Sequence, residues 1–208
     1  MSSSFAVSSD VAFTPAVKAI QARKGSRSGY AHMEDGGGWR TEIDESLAAF
    51  IGAQTSFFLA TATADGQPYI QHRGGPAGFI RILDRTTLAF ADYRGNRQYI
   101  TQGNLSENPK AYIFLIDYVN RRRVKIWGEA RVVEDDPALT DSLMPKDYKA
   151  KAEQTILFKI SAWDTNCPQH IPMKFDAADV AAAVGERDAR IAELEAEVAL
   201  LKLRLPPS

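Results

Sequence analysis

The sequence is poor in cysteine and in charge of one sign. Its 208 residues include a single cysteine, Cys167, which excludes an internal disulfide framework and is usual in a reducing cytoplasm. The formal net charge is −1, so the chain as a whole gives no electrostatic reason to bind nucleic acid. No apolar run approaches the ~20 residues of a membrane helix. The Ser-rich start also lacks the basic and apolar parts of a signal peptide. We therefore expect a soluble, cytoplasmic protein.

Familiar catalytic and metal-binding motifs are missing as well. No G-x-G-x-x-G follows a strand-like run, and there is no Walker-type loop. The three histidines show no HxxxH or HExxH spacing, and no CxxC is present, so we predict no metal site. Cys167 lies near His170 in the sequence, but we expect an inert cysteine there rather than a thiol–imidazole pair.

Helix signals flank a region of strands. Residues 1–12 are expected to be disordered. Thr14 is then a predicted N-cap, with Pro15 at the first helical position and Gly25 as the C-cap. The glycines at 36–38 predict a loop, and His32 is expected to lie in the same loop region. Thr41 is the predicted cap of a second helix, whose buried face consists of Leu47, Phe50 and Ile51.

From Phe57 onward the apolar period changes to that of strands. Asp65-Gly66 is a strong hairpin signal, and Asn96–Asn104 predicts a helix that ends at Asn108-Pro109. The spacing of the strands favours a small antiparallel barrel over a doubly wound parallel sheet, because regular strand–helix alternation is missing. The six predicted strands cover residues 57–62, 78–83, 87–91, 111–117, 124–133 and 155–163.

The C-terminal segment predicts a separate long helix. Asp176 caps it, it runs from about Ala178 to Leu205, and Pro206-Pro207 stops it. Apolar residues recur along it at a and d heptad spacing, with Arg187 at one d position. A helix packed on its own domain, a coiled coil with a second chain and a docking helix for another protein are all compatible with this narrow stripe. The apolar seam consists of Val184, Ile191, Leu194, Val198, Leu201 and Leu205.

Candidate binding residues are arginines and glycines rather than a catalytic triad. One group is His72, Arg73 and Gly74, which follows a predicted strand. A second group lies between a strand and a helix, where free backbone N–H groups and guanidinium groups would bind phosphate: Asp92, Tyr93, Asn96 and Arg97. A third is Arg123, in a run of three arginines that opens a strand. Each arginine taken singly is more often a solvated surface charge. The arginine run also suggests nucleic acid, but it lies in a strand pattern of a slightly acidic chain that lacks interleaved aromatic and basic residues.

The order of several short motifs resembles the pyridoxamine 5′-phosphate oxidase family. The resemblance covers roughly residues 55–135. It consists of Asp65-Gly66-Gln67-Pro68, Gly95-Asn96-Arg97, Asn108-Pro109 after Asn104–Glu107, and the strand Arg122–Ala130. It implies an FMN-binding split β-barrel, mainly antiparallel β with flanking helices, that forms a homodimer with FMN in two clefts at the subunit interface.

The same resemblance implies roles for individual residues. Arg97 takes the place of the basic residue that meets the FMN phosphate, and Asn96 stands where the family has arginine. Arg123 stands where the family has a glutamine that approaches the flavin from the facing strand. The segment around Arg73 corresponds to the strand that lines the flavin, although the family's usual pattern there is missing. The family's substrate-binding close is also incomplete, so pyridoxamine phosphate oxidation is not the expected activity.

We therefore predict an FMN-dependent oxidoreductase that acts on a small organic substrate. His170 is the candidate proton donor or substrate contact, and packing in a core or loop is the alternative role for it. A flavin carrier or sensor without turnover, and a related barrel that uses haem or a deazaflavin, are the alternatives. The expected organisation is an N-terminal tail with two short helices over residues 1–54, the barrel over 55–175 and the heptad helix over 176–208.

Overall fold

The computed structural model describes residues 7–165 and 168–204. It divides into one unit that holds the sheet and the N-terminal helices, and a second that consists of 118–121 and the chain from Gln169 onward. The helices are α1 (Pro15–Lys24), α2 (Arg27–Asp35), α3 (Glu45–Ala53), α4 (Ile100–Glu107), α5 (Pro137–Leu143) and α6 (Ala177–Arg204). The strands are β1 (Ser56–Ala62), β2 (Pro68–Gly74), β3 (Arg81–Asp84), β4 (Thr87–Tyr93), β5 (Lys110–Asp117), β6 (Arg122–Val133) and β7 (Ala152–Thr165).

All seven strands form one antiparallel sheet in the order β2-β1-β5-β6-β7-β4-β3. Alternate residues of β1, β5 and β6 face a core that includes Leu59 and Ile126, together with Phe90 of β4 and Phe158 of β7, all at most 1% exposed. The predicted antiparallel barrel with flanking helices and a C-terminal helix is confirmed. The count of six strands was wrong: β2 is a seventh, and its residues alternate between half-buried and exposed instead of forming an apolar run.

The predicted helices were right in type and differed at some boundaries, and two further helices, α2 and α5, were not predicted. Thr14 caps α1 through a hydrogen bond from the backbone N–H of Val17, and Gly25 ends α1 in the left-handed conformation with φ 81°. The cap of α3 is Asp44 instead of Thr41, because its carboxylate accepts the N–H of Leu47. His32 lies in α2 and not in a loop. The stretch at 8–11 forms a 3₁₀ helix, which corrects the expected disorder there; residues 1–6 lie outside the described residues.

An aromatic cluster attaches the N-terminal helices to the outer face of the sheet. Trp39 stacks on Trp127 of β6 with ring centroids 4.6 Å apart, and Phe13 contacts both Trp39 and Tyr30. Lys125 lies beside both tryptophans and forms a 2.9 Å ion pair with Asp164 of β7. The outer face of β6 is therefore partly covered by residues that precede the barrel.

A bulge between β6 and β7 keeps both ends of β7 in register with the core. Gly128 pairs with Ile160 while Trp127 pairs with Ala162, so Ser161 is the extra residue. The bulge changes which residues of β7 face inward. On the N-terminal side of the bulge Ile160 points into the core, and on the C-terminal side Trp163 points into it.

Candidate functional site

The barrel has a split, and an ion pair between side chains spans it. β2 and β4 are separated in the sheet by four other strands. Even so, a guanidinium nitrogen of Arg73 on β2 donates to a carboxylate oxygen of Asp92 on β4. The two side chains are 13% and 14% exposed. Gln154 on β7 donates to the other Asp92 oxygen at 2.9 Å. The sheet is therefore curved far enough to bring its separated strands together.

The segment between β4 and α4 forms one wall of a cleft at this split. Five described non-glycine residues have a positive φ, and two of them are Arg97 (60°) and Tyr99 (55°). Such conformations are costly and occur often at functional sites. Arg97 Nε donates to the Tyr99 hydroxyl at 2.8 Å, and this bond raises the pKa of Arg97. Arg97 also lies 3.9 Å from a carboxylate oxygen of Glu153. The predicted helix at Asn96–Asn104 therefore begins later, at Ile100.

The cleft contains a buried hydrogen-bond donor that has no partner within the described residues, the Nε of Arg73. The Tyr93 hydroxyl is buried and unpaired as well, but Tyr93 follows Asp92 on β4, and its side chain packs on the other face of the strand with Ala91 and Tyr148. Burial, and then the neighbouring Tyr148, raise the pKa of Tyr93. Tyr99, the N-cap residue of α4, makes no side-chain capping hydrogen bond, so the first backbone N–H groups of the helix can donate to an anion. Buried donors of this kind are costly unless a ligand or water accepts from them.

Sequence reasoning found five of the residues that line the cleft and missed others. Arg73, Asp92, Tyr93, Asn96 and Arg97 all line it. The residues that were missed share amide, hydroxyl or carboxylate side chains, and their strand or helix-start positions gave no motif. Those missed residues include Tyr69, Gln71, Tyr99, Thr101, Glu153 and Gln154. Gln71 on β2 could have been found from the period of two, because it lies two residues before Arg73 and so shares its face.

His72 and Gly74 do not join Arg73 in the cleft. His72 is the neighbour of Arg73 on β2 and therefore points to the opposite face of the strand, where its ring meets Phe58 edge-on at 5.6 Å. Gly74 ends β2 opposite Ser56. A methyl group on Gly74 would lie 3.3 Å from the His72 ring, so the glycine leaves room for the histidine.

Arg123 also lies away from the cleft of its own chain. It precedes Lys125 by two residues on β6 and shares the outer face of the sheet with it. Its Nε is buried and has no hydrogen-bond partner within the described residues. Tyr112 on β5 lies close enough for the guanidinium to act on it. Burial raises the Tyr112 pKa to about 12, with a smaller contribution from Asp164, and the Arg123 charge opposes the shift.

His170 belongs to the second unit, where it occupies an exposed turn with φ 62°. Its predicted role as proton donor stays a prediction. Cys167 lies outside the described residues. Within 7–165 and 168–204, no group of three or more potential metal ligands comes together. No helix in the same part of the chain is both long enough and apolar enough to cross a membrane.

The curved antiparallel sheet, its bridged split and the polar cleft beside that split define a split-barrel protein with a ligand-binding cleft. The sequence model of the family described as pyridoxamine 5′-phosphate oxidase matches residues 43–167, more than half of the chain. The chain belongs to this family. The residues before position 43, which supply Phe13, Tyr30 and Trp39, lie outside the match.

Several solved structures resemble this one at low identity. HupZ from Group A Streptococcus is 16% identical, over 64% of this chain and 99% of that one, with a TM-score of 0.49. An FMN-binding protein from Syntrophomonas wolfei is 12% identical, over 70% and 97% of the two chains, with a TM-score of 0.46. General Stress Protein 26 from Bacillus anthracis is 18% identical, over 58% and 91%, with a TM-score of 0.42. These values are too low to indicate a ligand or an activity. No curated protein sequence matches the chain.

Proposed function

We propose that this protein binds FMN in the cleft at the split and acts as a homodimeric, cytoplasmic FMN-dependent oxidoreductase on a small organic substrate. The observation that carries the proposal is the buried Nε of Arg73 in the Arg73–Asp92 pair, a donor that has no partner in the described residues. FMN offers phosphate, ribityl and carbonyl oxygens, which are the acceptors that such a donor requires. Membership of the family supports the same cofactor.

The chain's own residues suit separate parts of that cofactor. Arg97 and the open N-terminus of α4 would hold the phosphate, because both offer donors and positive charge. Arg73 lies further along the cleft and would donate to the ribityl chain or the ring, whereas Tyr93, proposed from the sequence as a second contact, would reach the cofactor only through its backbone. Asp92 fixes the Arg73 guanidinium in place and offsets its charge. Bound FMN would supply the electron transfer, and the protein would supply binding and orientation.

Arg123 requires a second chain if it is to meet the flavin. Its side chain lies on the outer face of the sheet, whereas the cleft follows the inward-facing residues of β2. A second copy packed against that outer face would bring its own cleft to Arg123, as the family resemblance implies. The unpaired Arg123 Nε is consistent with this arrangement. His72, which also faces outward, would then belong to the interface between the copies.

One observation favours a flavin carrier without turnover as a second candidate. The described residues that line the cleft include neither histidine nor cysteine, and its carboxylates are paired with arginines. An acid–base group would have to come from elsewhere, and His170 is the proposed source. If the pH dependence of flavin reoxidation by a true acceptor were the same in His170→Ala, this role would be wrong.

The decisive experiment is an absorption spectrum of the purified protein, followed by titration of the FMN-free protein with FMN. We expect flavin bands and about one FMN per chain.

Arg97→Ala should weaken FMN binding by about tenfold or more, the worth of one charge-assisted hydrogen bond. Arg94→Ala is the matched control, because Arg94 lies 3.3 Å from the same Glu153 but does not line the cleft. Because Arg123 would meet the flavin only across the interface between two copies, Arg123→Ala should weaken FMN binding by the dimer and not by the monomer.

The outcomes separate the alternatives. A colourless protein that takes up no FMN would refute the proposal. Equal losses in Arg97→Ala and Arg94→Ala would remove Arg97 from the phosphate site. Bound FMN that NADH or NADPH cannot reduce, or that no acceptor reoxidises, would favour the carrier. Haem or deazaflavin bands would identify a different cofactor.

A further inference from the structure

The C-terminal helix α6 carries an apolar stripe that is open to solvent along its whole length. α6 has 28 residues, which corresponds to roughly 42 Å at about 1.5 Å per residue. The members of the apolar seam that the structure describes are between 42% and 53% exposed: Val184, Ile191, Leu194, Val198 and Leu201. An exposed apolar stripe of this length usually marks an interaction surface.

We propose that α6 pairs with α6 of a second copy as a parallel, in-register, two-stranded coiled coil. The a positions of the seam are Val184, Ile191 and Val198, which are all β-branched. The d positions that follow Ile191 and Val198 are Leu194 and Leu201. β-Branched residues at a with leucine at d favour parallel dimers over higher oligomers.

The charges beside the seam specify the same partner and the same register. In a parallel pair, each g residue faces the e residue five positions later on the other helix. Arg190 at g therefore meets Glu195 at e, and Glu197 at g meets Lys202 at e. Both contacts are attractive, and two-fold symmetry makes each of them occur twice.

Other alignments of the same two helices bring like charges together. Slipping one helix by a heptad places Arg190 against Lys202 on one side of the pair and Glu197 against Glu195 on the other. A fully overlapped antiparallel pair would set Asp188 against Glu195, which offsets the attraction between Arg190 and Glu197 in the same arrangement. Only the parallel register has the four attractive contacts without these repulsions, so a second copy in parallel register is the occupant that the charges fit.

Arg187 is the one polar residue at a seam position between Val184 and Leu201, and like the charges beside the seam it favours a single register. It occupies d, so in the parallel register the two copies of Arg187 face each other. A polar residue in the seam lowers the stability of a coiled coil but restricts its register and its number of chains. The pairing is therefore expected to be specific rather than strong.

The test uses the full-length protein in a Cys167→Ser background, so that the only thiols are the ones introduced. Leu201→Cys lies at d and would face itself in the parallel pair. Leu200→Cys lies at c, on the outside of the pair, and is the matched control because Leu200 and Leu201 are similarly exposed at 58% and 52%. Under mild oxidation, we expect reducible covalent dimers to form several-fold faster in Leu201→Cys.

A charge reversal then tests the register. In the Leu201→Cys background, Glu195→Lys should slow cross-linking, because the introduced ammonium group would face Arg190 of the other copy, and adding Arg190→Glu should restore it. Equal rates for Leu200→Cys and Leu201→Cys, or no cross-linking at either, would overturn the proposal and leave α6 packed on its own chain or on another protein. None of these positions lines the cleft, so FMN content reports independently on the proposed function.

Discussion

Gly128 provides the sharpest test of the barrel, because the structure leaves no space for a side chain there. A methyl group at Gly128 would lie 2.5 Å from a ring carbon of Phe158 and closer still to the carbonyl oxygen of Lys159. Favourable contacts between carbon atoms begin at about 3.5 Å. Phe158 is fully buried and the Lys159 oxygen belongs to the backbone of β7, so neither neighbour can rotate away. Gly128→Ala must therefore displace β7 or distort β6.

The expected cost follows from that clash. Overpacking a core usually costs about 1–3 kcal/mol, and we expect about 3 kcal/mol because one of the atoms met belongs to the main chain. With a urea dependence of about 2 kcal/mol per molar, the midpoint of unfolding should fall by about 1.5 M. The assay is urea denaturation of the FMN-free protein, followed by tryptophan fluorescence.

Gly52→Ala is the matched control and should change stability in the opposite direction. Gly52 lies in α3, and a methyl group there would meet no atom within 4 Å. Alanine is favoured over glycine in a helix by about 1 kcal/mol, so the midpoint should rise slightly. If the unfolding free energy of Gly128→Ala lay within about 0.5 kcal/mol of that of the parent protein, the packing of β6 against β7 described above would be wrong.

Two further predictions concern buried polar groups. Asp92→Ala leaves the Arg73 guanidinium, 13% exposed, without its partner. It should lower the unfolding free energy by about 3 kcal/mol, and Asp92→Asn by less; equal small losses in urea denaturation would contradict a buried ion pair. The pKa of Tyr112 is raised to about 12, against 10.0 for the free side chain. The contribution of Tyr112 to the unfolding free energy is therefore fully present below pH 10 and is lost between pH 10 and 12. Tyr112→Phe should therefore lose less stability than the parent protein over that range, and parallel losses would show that Tyr112 ionises normally.

Local patterns predicted the elements better than the site. Thr14, Pro15 and Gly25 mark both ends of α1 because capping depends on a few adjacent residues. The start of α3 was missed by three residues, since Thr41 and Asp44 are both good caps and the choice depends on where the chain turns.

The missed strand and the misplaced residues have physical reasons as well. β2 is an edge strand with polar residues on both faces, so it lacks the apolar alternation that marks a half-buried strand. The pairing of Arg73 with Asp92 depends on the curvature of the whole sheet, which no local pattern records. His72, in contrast, could have been separated from Arg73 once that segment was read as a strand.

The alternation along β2 also limits how this chain can change in evolution. Odd-numbered residues such as Gln71 and Arg73 face the cleft, while Ile70 and His72 face outward. Substitution can alter either face without the other. Insertion or deletion of one residue within β2 would exchange the two sets, and as an edge strand β2 has only β1 to oppose such a slip. Homologues with new ligands are therefore expected to keep the length of β2 constant and to vary its alternate residues separately.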